Sequence, residues 1–560
     1  MRFDSLQTLL SGILIGSVGI GAIWFISTDE IDLETVREAE KLIGLEYSDE
    51  QREIILGNLQ QNPAIYRELR ELHLPNHVPL PLYFNPVPPG KYFSPPPEVD
   101  ISWVIPDDTE HPASLDELAF YSIPELASLL RNRKVTSVEL TELFLKRLED
   151  HDEQLEAVVT LTRERALRQA AALDRELDQG VWRGPLHGIP YGAKDLFAVE
   201  GYPTTWGAMP YRDQVLDETA TVIRKLDEAG AILIAKLSLG ALAYGDIWFG
   251  GRTNNPWNSE QGSSGSSAGS SAAVSAGLVP FSLGTETLGS LVSPAVRTGT
   301  TTLRPTFGRV SRHGAMALSW TMDKVGPMAR SAEDAAIVFD IIRGPDGYDH
   351  TVQDWPFNYE RLENLEGIRI GVAEESFSGE YSNASNDRAV LDLLESLGAE
   401  LIPIKLPELP TGFTFNLLTA EAAAAFEELT LSGRDSLMVW SADNAWPHLF
   451  RGVRFVPAVE WIQMNRVRSE LIRKMDETLE GLDLYVTPPF RGNNLTISNL
   501  TGLPSLVIRN GFDEGGLPTS ITLGGQLYGE DILMAVGDLY QRTTGFHLKH
   551  PSQFLPGNAR

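Results

Sequence analysis

The segment Gly262 to Pro305, GSSGSSAGSSAAVSAGLVPFSLGTETLGSLVSPAVRTGTTTLRP, constrains this chain more than any other. It sets two Ser/Gly clusters around two apolar runs, Ala272–Leu278 and Val279–Leu283. Flexible Ser/Gly linkers do not carry such runs. The order predicts a tight turn, a helical Ala/Val segment, a strand over LVPFSL and a second tight turn, GTETLGS. A nucleophile needs this setting: a serine on a sharp turn, with glycine neighbours that leave backbone N–H groups free for an oxyanion. The first expectation is therefore an enzyme.

Upstream, PLHGIPYGAKDLF (Pro185–Phe197) delivers Lys194 into an apolar neighbourhood of Ile189, Tyr191, Ala193, Leu196 and Phe197. If that run is a buried strand, desolvation disfavours the ammonium and the neutral amine can act as a base. The competing reading is a solvated lysine paired with Asp195.

Together these residues resemble the amidase signature family. The HGIP-x-x-x-KD context surrounds Lys194. The Ser/Gly cluster is Gly265-Ser266-Ser267-Ala268-Gly269, and the second turn is Gly284-Thr285-Glu286-Thr287-Leu288-Gly289-Ser290. Val135–Thr162, Asn255–Asn258, Ser331–Ala336 and Asn499–Ser505 also fall in the family's order, so the likeness runs from about Ser114 to Phe546. It implies an α/β fold: one large amidase-signature domain, a mixed β-sheet sandwiched between helical layers, preceded here by an N-terminal apolar helix. It also implies a Ser–Ser–Lys relay. Ser290 is then the nucleophile and Ser266, after a cis Gly265–Ser266 peptide, links it to Lys194. The N–H groups of Thr287, Leu288, Gly289 and Ser290 line the oxyanion hole. No cofactor and no metal are implied.

Three departures from the pattern stand out. Leu288 replaces the first of two glycines, which requires an ordinary backbone conformation there. Glu286 stands where aspartate is usual. Leu291-Val292-Ser293-Pro294 follows Ser290 without the arginine that, in relatives acting on acidic amides, pairs with the substrate carboxylate. That argues against a glutamine-dependent amidotransferase A-type subunit, which is kept as the alternative beside a catalytically silent amidase-fold protein. Arg297 is a candidate substitute, though nothing in the sequence places it.

Gly265-Ser266-Ser267-Ala268-Gly269 also fits the G-x-S-x-G nucleophile elbow, with Ser267 as nucleophile. The elbow needs a strand before it, and NSEQGSS does not read as one. His187 and His313 read as hydrogen-bonded structural histidines.

The formal charge of −30, from 46 basic and 76 acidic residues, repels phosphate backbones, so no nucleic-acid partner is expected. The absence of cysteine excludes disulfides and thiol chemistry. Helices are expected over Ser137–Asp150 and Glu156–Gln179. Strands are expected over Ile232–Ala235, Ile368–Val372 and Leu484–Thr487.

Leu9 to Ile26 is an 18-residue apolar run, long enough at 1.5 Å per residue to span about 27 Å. Residues 1–30 are read as a signal-anchor or signal peptide, with the membrane as a partner through residues 9–26 if uncleaved. The expected location is membrane-anchored with the catalytic domain outside the cytoplasm, or exported. Residues 31–112 form a helical then Pro-rich extension, with helices over Glu34–Glu46 and Ser48–Leu72. In the Pro-rich part, Tyr83, Phe84, Tyr92 and Phe93 suggest a strap packed on the core. Residues 113–560 are the catalytic domain. The expected substrate is a small-molecule amide, and Trp206, Trp248, Phe249, Trp320 and Met322 are candidate walls of an apolar pocket. Of the sequons Asn494–Thr496 and Asn499–Thr501, the second reads as structural.

Overall fold

A computed structural model of the chain describes residues 31–557. The chain divides into two compact units, the first ending at Leu72 and the second beginning at His73. In the first, helices Leu33–Ile43 and Asp49–Arg70 form a hairpin. Ser48 and Gln51 close a capping box on the second helix, satisfying N–H groups that the helix leaves open. A bidentate pair, Arg52 to Glu40 at 2.9 and 2.8 Å, joins the two helices.

The second unit is built on an 11-stranded mixed sheet. Its first strands are β1 (Val158–Leu161), β2 (Pro190–Lys194) and β3 (Ile232–Leu237). Two small hairpins follow outside the sheet: β4 (Ile247–Trp248) with β5 (Gly251–Arg252), and β6 (Asn254–Asn255) with β7 (Asn258–Gly262). The sheet continues with β8 (Phe281–Glu286), β9 (Thr301–Arg304) and β10 (Lys324–Ala329). It is completed by β11 (Arg369–Ala373), β12 (Glu400–Ile404), β13 (Leu484–Thr487), β14 (Ser505–Phe512) and β15 (Pro518–Gly525). The spatial order is β1-β3-β2-β8-β10-β9-β14-β15-β13-β11-β12. β2 runs parallel to both β3 and β8, and β11 parallel to both β12 and β13. The other neighbours are antiparallel. β2, β3, β8 and β10 are buried along their whole length, as strands covered on both faces must be.

Helix Ser137–Leu155 begins at its Thr136–Glu139 capping box and extends past the expected end at Asp150. The continuous helix expected over 156–179 is interrupted. Glu156 takes a left-handed conformation (φ 51°), the β-branched run after it forms β1, and the helix starts only at Arg163. The expected strands lie within β3, one residue out of step in β11, and along β13. NSEQG, read as no strand, forms β7; its partner is the short β6, so the pairing stays outside the main sheet.

The Pro-rich stretch belongs to the second unit and packs on it. Asn76 exchanges two 2.9 Å hydrogen bonds with the backbone of Ala317. Phe84 meets Phe307 edge-on at 5.0 Å and carries the Arg468 guanidinium over its face at 3.5 Å. Phe93 packs edge-on against Tyr528, and Trp103 stacks on Tyr359. Tyr83 is half exposed and meets His350 edge-on, whereas Tyr92 is exposed, so three of the four expected strap anchors make packing contacts.

The membrane reading is corrected. No helix among the described residues is long and apolar enough to cross a membrane. The run 9–26, on which an N-terminal apolar helix and an anchored or exported location rested, lies outside the described residues.

Candidate active site

Three segments that the sheet order brings side by side form the site. β2 ends on Lys194, β8 ends on Thr285 and Glu286, and the Ser/Gly turn enters the helix Ala268–Ser275 at Ser266 and Ser267. The Gly265–Ser266 peptide is cis. Gly265 has no room for a side chain: a Cβ there would lie 1.9 Å from the Gly245 carbonyl oxygen.

Lys194 is fully buried, and its Nζ lies 2.8 Å from Ser266 Oγ, 3.1 Å from Ser267 Oγ and 2.9 Å from Thr285 Oγ1. It has no carboxylate partner among the described residues. Asp195 instead pairs with the equally buried Lys236 at 2.7 Å, which disposes of the Lys194–Asp195 pair. Burial drives the Lys194 amine down to about 7, against the opposing pull of the Asp323 and Glu286 carboxylates. The hydrogen bonds sort the hydroxyls. Ser267 Oγ donates to the Thr285 carbonyl at 3.0 Å and accepts from Thr285 N at 3.2 Å. Its proton is thus committed, and towards Lys194 it acts as an acceptor. Ser266 and Thr285 are then the hydroxyls next to the amine with no other protein partner among the described residues, and Ser266 is the one that sits on the Ser/Gly turn.

Ser290 follows on the turn after β8. Its carbonyl accepts from Ser267 N at 3.1 Å, which ties the two turns together through the backbone. No protein hydrogen bond fixes its hydroxyl among the described residues, and no direct Ser266–Ser290 hydrogen bond is formed. Ser290 lines a cavity of about 280 Å³ together with Thr287, Leu288 and Gly289. The N–H groups of Thr287, Leu288, Gly289 and Ser290 have no acceptor among the described residues, whereas those of Leu291 and Val292 are bound to Glu286 Oε2 at 2.8 and 2.9 Å. Gly289 holds φ at 91°, a region that favours glycine, while Leu288 keeps a negative φ and packs on the core. The leucine is thus accommodated without strain.

Glu286 holds the turn from below. Burial alone would raise its carboxyl, but Arg304 at 2.8 Å outweighs that and holds it at about 2. Asn499 donates to the same carboxylate at 2.7 Å and is fully buried, and Asn494 is buried against Tyr485. Both sequons are therefore inside the protein. Asp323, to which no sequence motif pointed, accepts from the Thr287 hydroxyl at 2.6 Å and from the N–H groups of Leu318 and Ser319 at 2.8 and 2.9 Å.

A second cavity, of about 130 Å³, adjoins the first and shares Ala243, Thr287 and Leu318 with it. Thr285 and Trp320 line it, and the Pro-rich strap closes it with Leu80 and Tyr83. The expected apolar walls fare unevenly: Trp320 lines this cavity, while Trp206, Trp248 and Met322 are core and Phe249 lines neither. The walls beside Ser290 are Tyr244, Phe415, Leu418, Trp446 and Leu495. Four of these five lie more than a hundred residues after Ser290, and their only sequence signal is aromatic and leucine content. Arg297 is exposed and bound to Gln261, away from both cavities. His187 is buried between Trp182 and the Leu173 carbonyl, a structural histidine.

Residues 139–534 match the family model Amidase. The chain is 34% identical over 478 residues to the A subunit of glutamyl-tRNA(Gln) amidotransferase from Roseiflexus sp. (strain RS-1), covering 77% of this chain and 98% of that one. Among solved structures it resembles the native peptide amidase of Stenotrophomonas maltophilia, with TM-score 0.70 and 28% identity over 77% of this chain and 98% of that chain. An amidase family protein from Bacillus anthracis str. Ames superposes with TM-score 0.69 and 26% identity, over 78% and 93% of the two chains. The chain belongs to the amidase signature family. It is an enzyme of a class that acts on the carbon–nitrogen bond of amides. The curated relatives give no support to the membrane-anchored or exported location expected from residues 9–26.

Proposed function

We propose that the protein hydrolyses a carboxylic amide through an acyl-Ser290 intermediate, with Lys194 and Ser266 as its proton relay. The observation that carries this reading is the fully buried Lys194 amine, held near 7 and 2.8 Å from Ser266 Oγ, with Gly265 just before Ser266 lining the same cavity as Ser290. A base with that affinity both takes and returns a proton near neutral pH.

Ser290 Oγ attacks the amide carbon while its proton passes to Ser266 and that of Ser266 to neutral Lys194. The carbonyl π pair moves onto oxygen, facing the uncommitted N–H groups of Thr287 to Ser290. The C–N bond then breaks, the relay runs backward to protonate the leaving nitrogen, and ammonia or an amine departs. Water attacks the acyl ester with the same base, releasing the carboxylic acid and restoring Ser290.

The second reading, an amidotransferase A-type subunit, is favoured by the name that the curated relatives carry. Against it stand the residues after Ser290, Leu291-Val292-Ser293-Pro294, and the outward position of Arg297. Incubation with neutral anilides and with glutamine separates the two. Acid release from anilides by the chain alone, lost in Ser290→Ala, supports the amidase; turnover of glutamine alone supports the second reading.

A further inference from the structure

Two cavities, not one, meet at the turn that carries Ser290, and they differ in kind. The cavity around Ser290 is lined by no side chain that is charged at neutral pH. Phe415, Leu418, Trp446 and Leu495 supply its apolar walls, and the one indole N–H among them is already donated to the Leu242 carbonyl at 3.0 Å. A carboxylate or ammonium placed there would lose its hydration and find hydroxyls and backbone groups but no opposite charge in return.

The strap-lined cavity does contain charges, but Arg312, Asp323, Lys324 and Asp349 each already have protein partners. Four of the five N–H groups of Arg312 are taken: Asp349 binds Nε at 2.8 Å and Nη2 at 3.1 Å, Thr351 binds Nη2 at 3.0 Å, and the Trp320 carbonyl binds Nη1 at 2.6 Å. Asp323 accepts three hydrogen bonds. Burial holds the Lys324 amine well below its ordinary value, and it donates to the Met322 carbonyl. Among the described residues no lysine or arginine of this lining is left without protein partners, and His77, His313 and His350 are its remaining basic side chains.

The relay sets the direction of binding. Thr285, which contacts the Lys194 amine, lines the strap-lined cavity and not the other. The leaving nitrogen must face Lys194 and Ser266 to receive its proton, so its substituent extends on the Thr285 side, and the acyl group occupies the apolar cavity.

We infer that the substrate is an N-substituted amide, uncharged on both sides of the reacting bond, with its acyl group against Phe415, Leu418, Trp446 and Leu495 and its amine substituent beneath the strap beside Trp320. This rests on the hydrolase reading above and narrows it: the product is an amine and not ammonia, and free glutamine is a poor substrate.

The test measures kcat/KM for hexanoyl anilide, hexanamide and glutamine on the full chain, with Phe415→Ala and Trp320→Ala beside wild type. Reaction of wild type and Ser290→Ala with diisopropyl fluorophosphate, read by intact mass, is the control for the underlying chemistry. The expected order is anilide over hexanamide by tenfold or more, with glutamine lower still. Phe415→Ala should cost roughly tenfold on both hexanoyl substrates, and Trp320→Ala roughly tenfold on the anilide alone, the range that a lost apolar contact gives. Equal rates on anilide and hexanamide, faster turnover of glutamine, or no effect of either substitution overturns the inference, while an adduct on wild type that is lost in Ser290→Ala leaves the hydrolase reading standing. No adduct on wild type overturns both.

Discussion

Replacing Lys194 by methionine should make the fold more stable at neutral pH while abolishing activity, and the pH dependence of that gain measures the base directly. The amine is fully buried and sits at about 7 against an ordinary 10.5. A difference of that size is on the order of 5 kcal/mol of differential interaction. Between pH 7 and 10.5 the unfolded chain binds the lysine proton and the folded chain does not. Unfolding therefore becomes harder as pH rises through this window, and the full cost of burying the amine is present below pH 7. Methionine removes that cost. It also leaves Ser266, Ser267 and Thr285 without their shared partner, a loss of about 1 kcal/mol per hydrogen bond that does not vary with pH. The stability difference, variant minus wild type, should thus shrink by about 2 kcal/mol between pH 7 and pH 9. Urea titrations followed by tryptophan fluorescence at pH 7, 8 and 9 read this difference, and the other titrating groups cancel. An unchanged difference across the three pH values would falsify the neutral amine and leave Ser266 without a base.

Two further outcomes concern the same centre. kcat/KM on any turned-over amide should fall about tenfold per pH unit below about 7, as Lys194 takes up its proton; a flat profile from pH 5.5 to 8 contradicts the assignment. Asp323→Asn keeps the size but removes the charge that braces Thr287 and raises the Lys194 amine. It should lower kcat by roughly ten- to a hundredfold with KM little changed, and move the acid limb to lower pH. A lower kcat with an unmoved limb would mean that Asp323 acts on the turn alone.

What the sequence made legible was local. Lys194, Ser266 and Ser290 each sit inside a short motif, a strand end for the lysine and Ser/Gly turns for the serines, and the fold needs only to bring the three together. β2 and β8 are parallel neighbours, so Lys194 and Thr285 arrive at the same edge. The pairing of Asp195 with Lys236 was not legible, because strand register decides which buried lysine meets which carboxylate. Helix periodicity also misled over 156–162, where a left-handed Glu156 and the valines after it override helix propensity. The cavity walls lay furthest from view. Phe415, Leu418 and Trp446 carry no motif and reach Ser290 only through helix packing. Asp323 was hidden for a related reason: a carboxylate that braces a turn by three hydrogen bonds looks in sequence like any other.

The central claim is that Ser290 is an activated nucleophile, and intact-mass analysis after exposure to a serine-reactive fluorophosphonate tests it most directly. One adduct on wild type and none on Ser290→Ala is the result the geometry calls for. An adduct that persists in Ser290→Ala would place the nucleophile elsewhere, with Ser267 next in line, and an unlabelled wild type would contradict the catalytic account altogether.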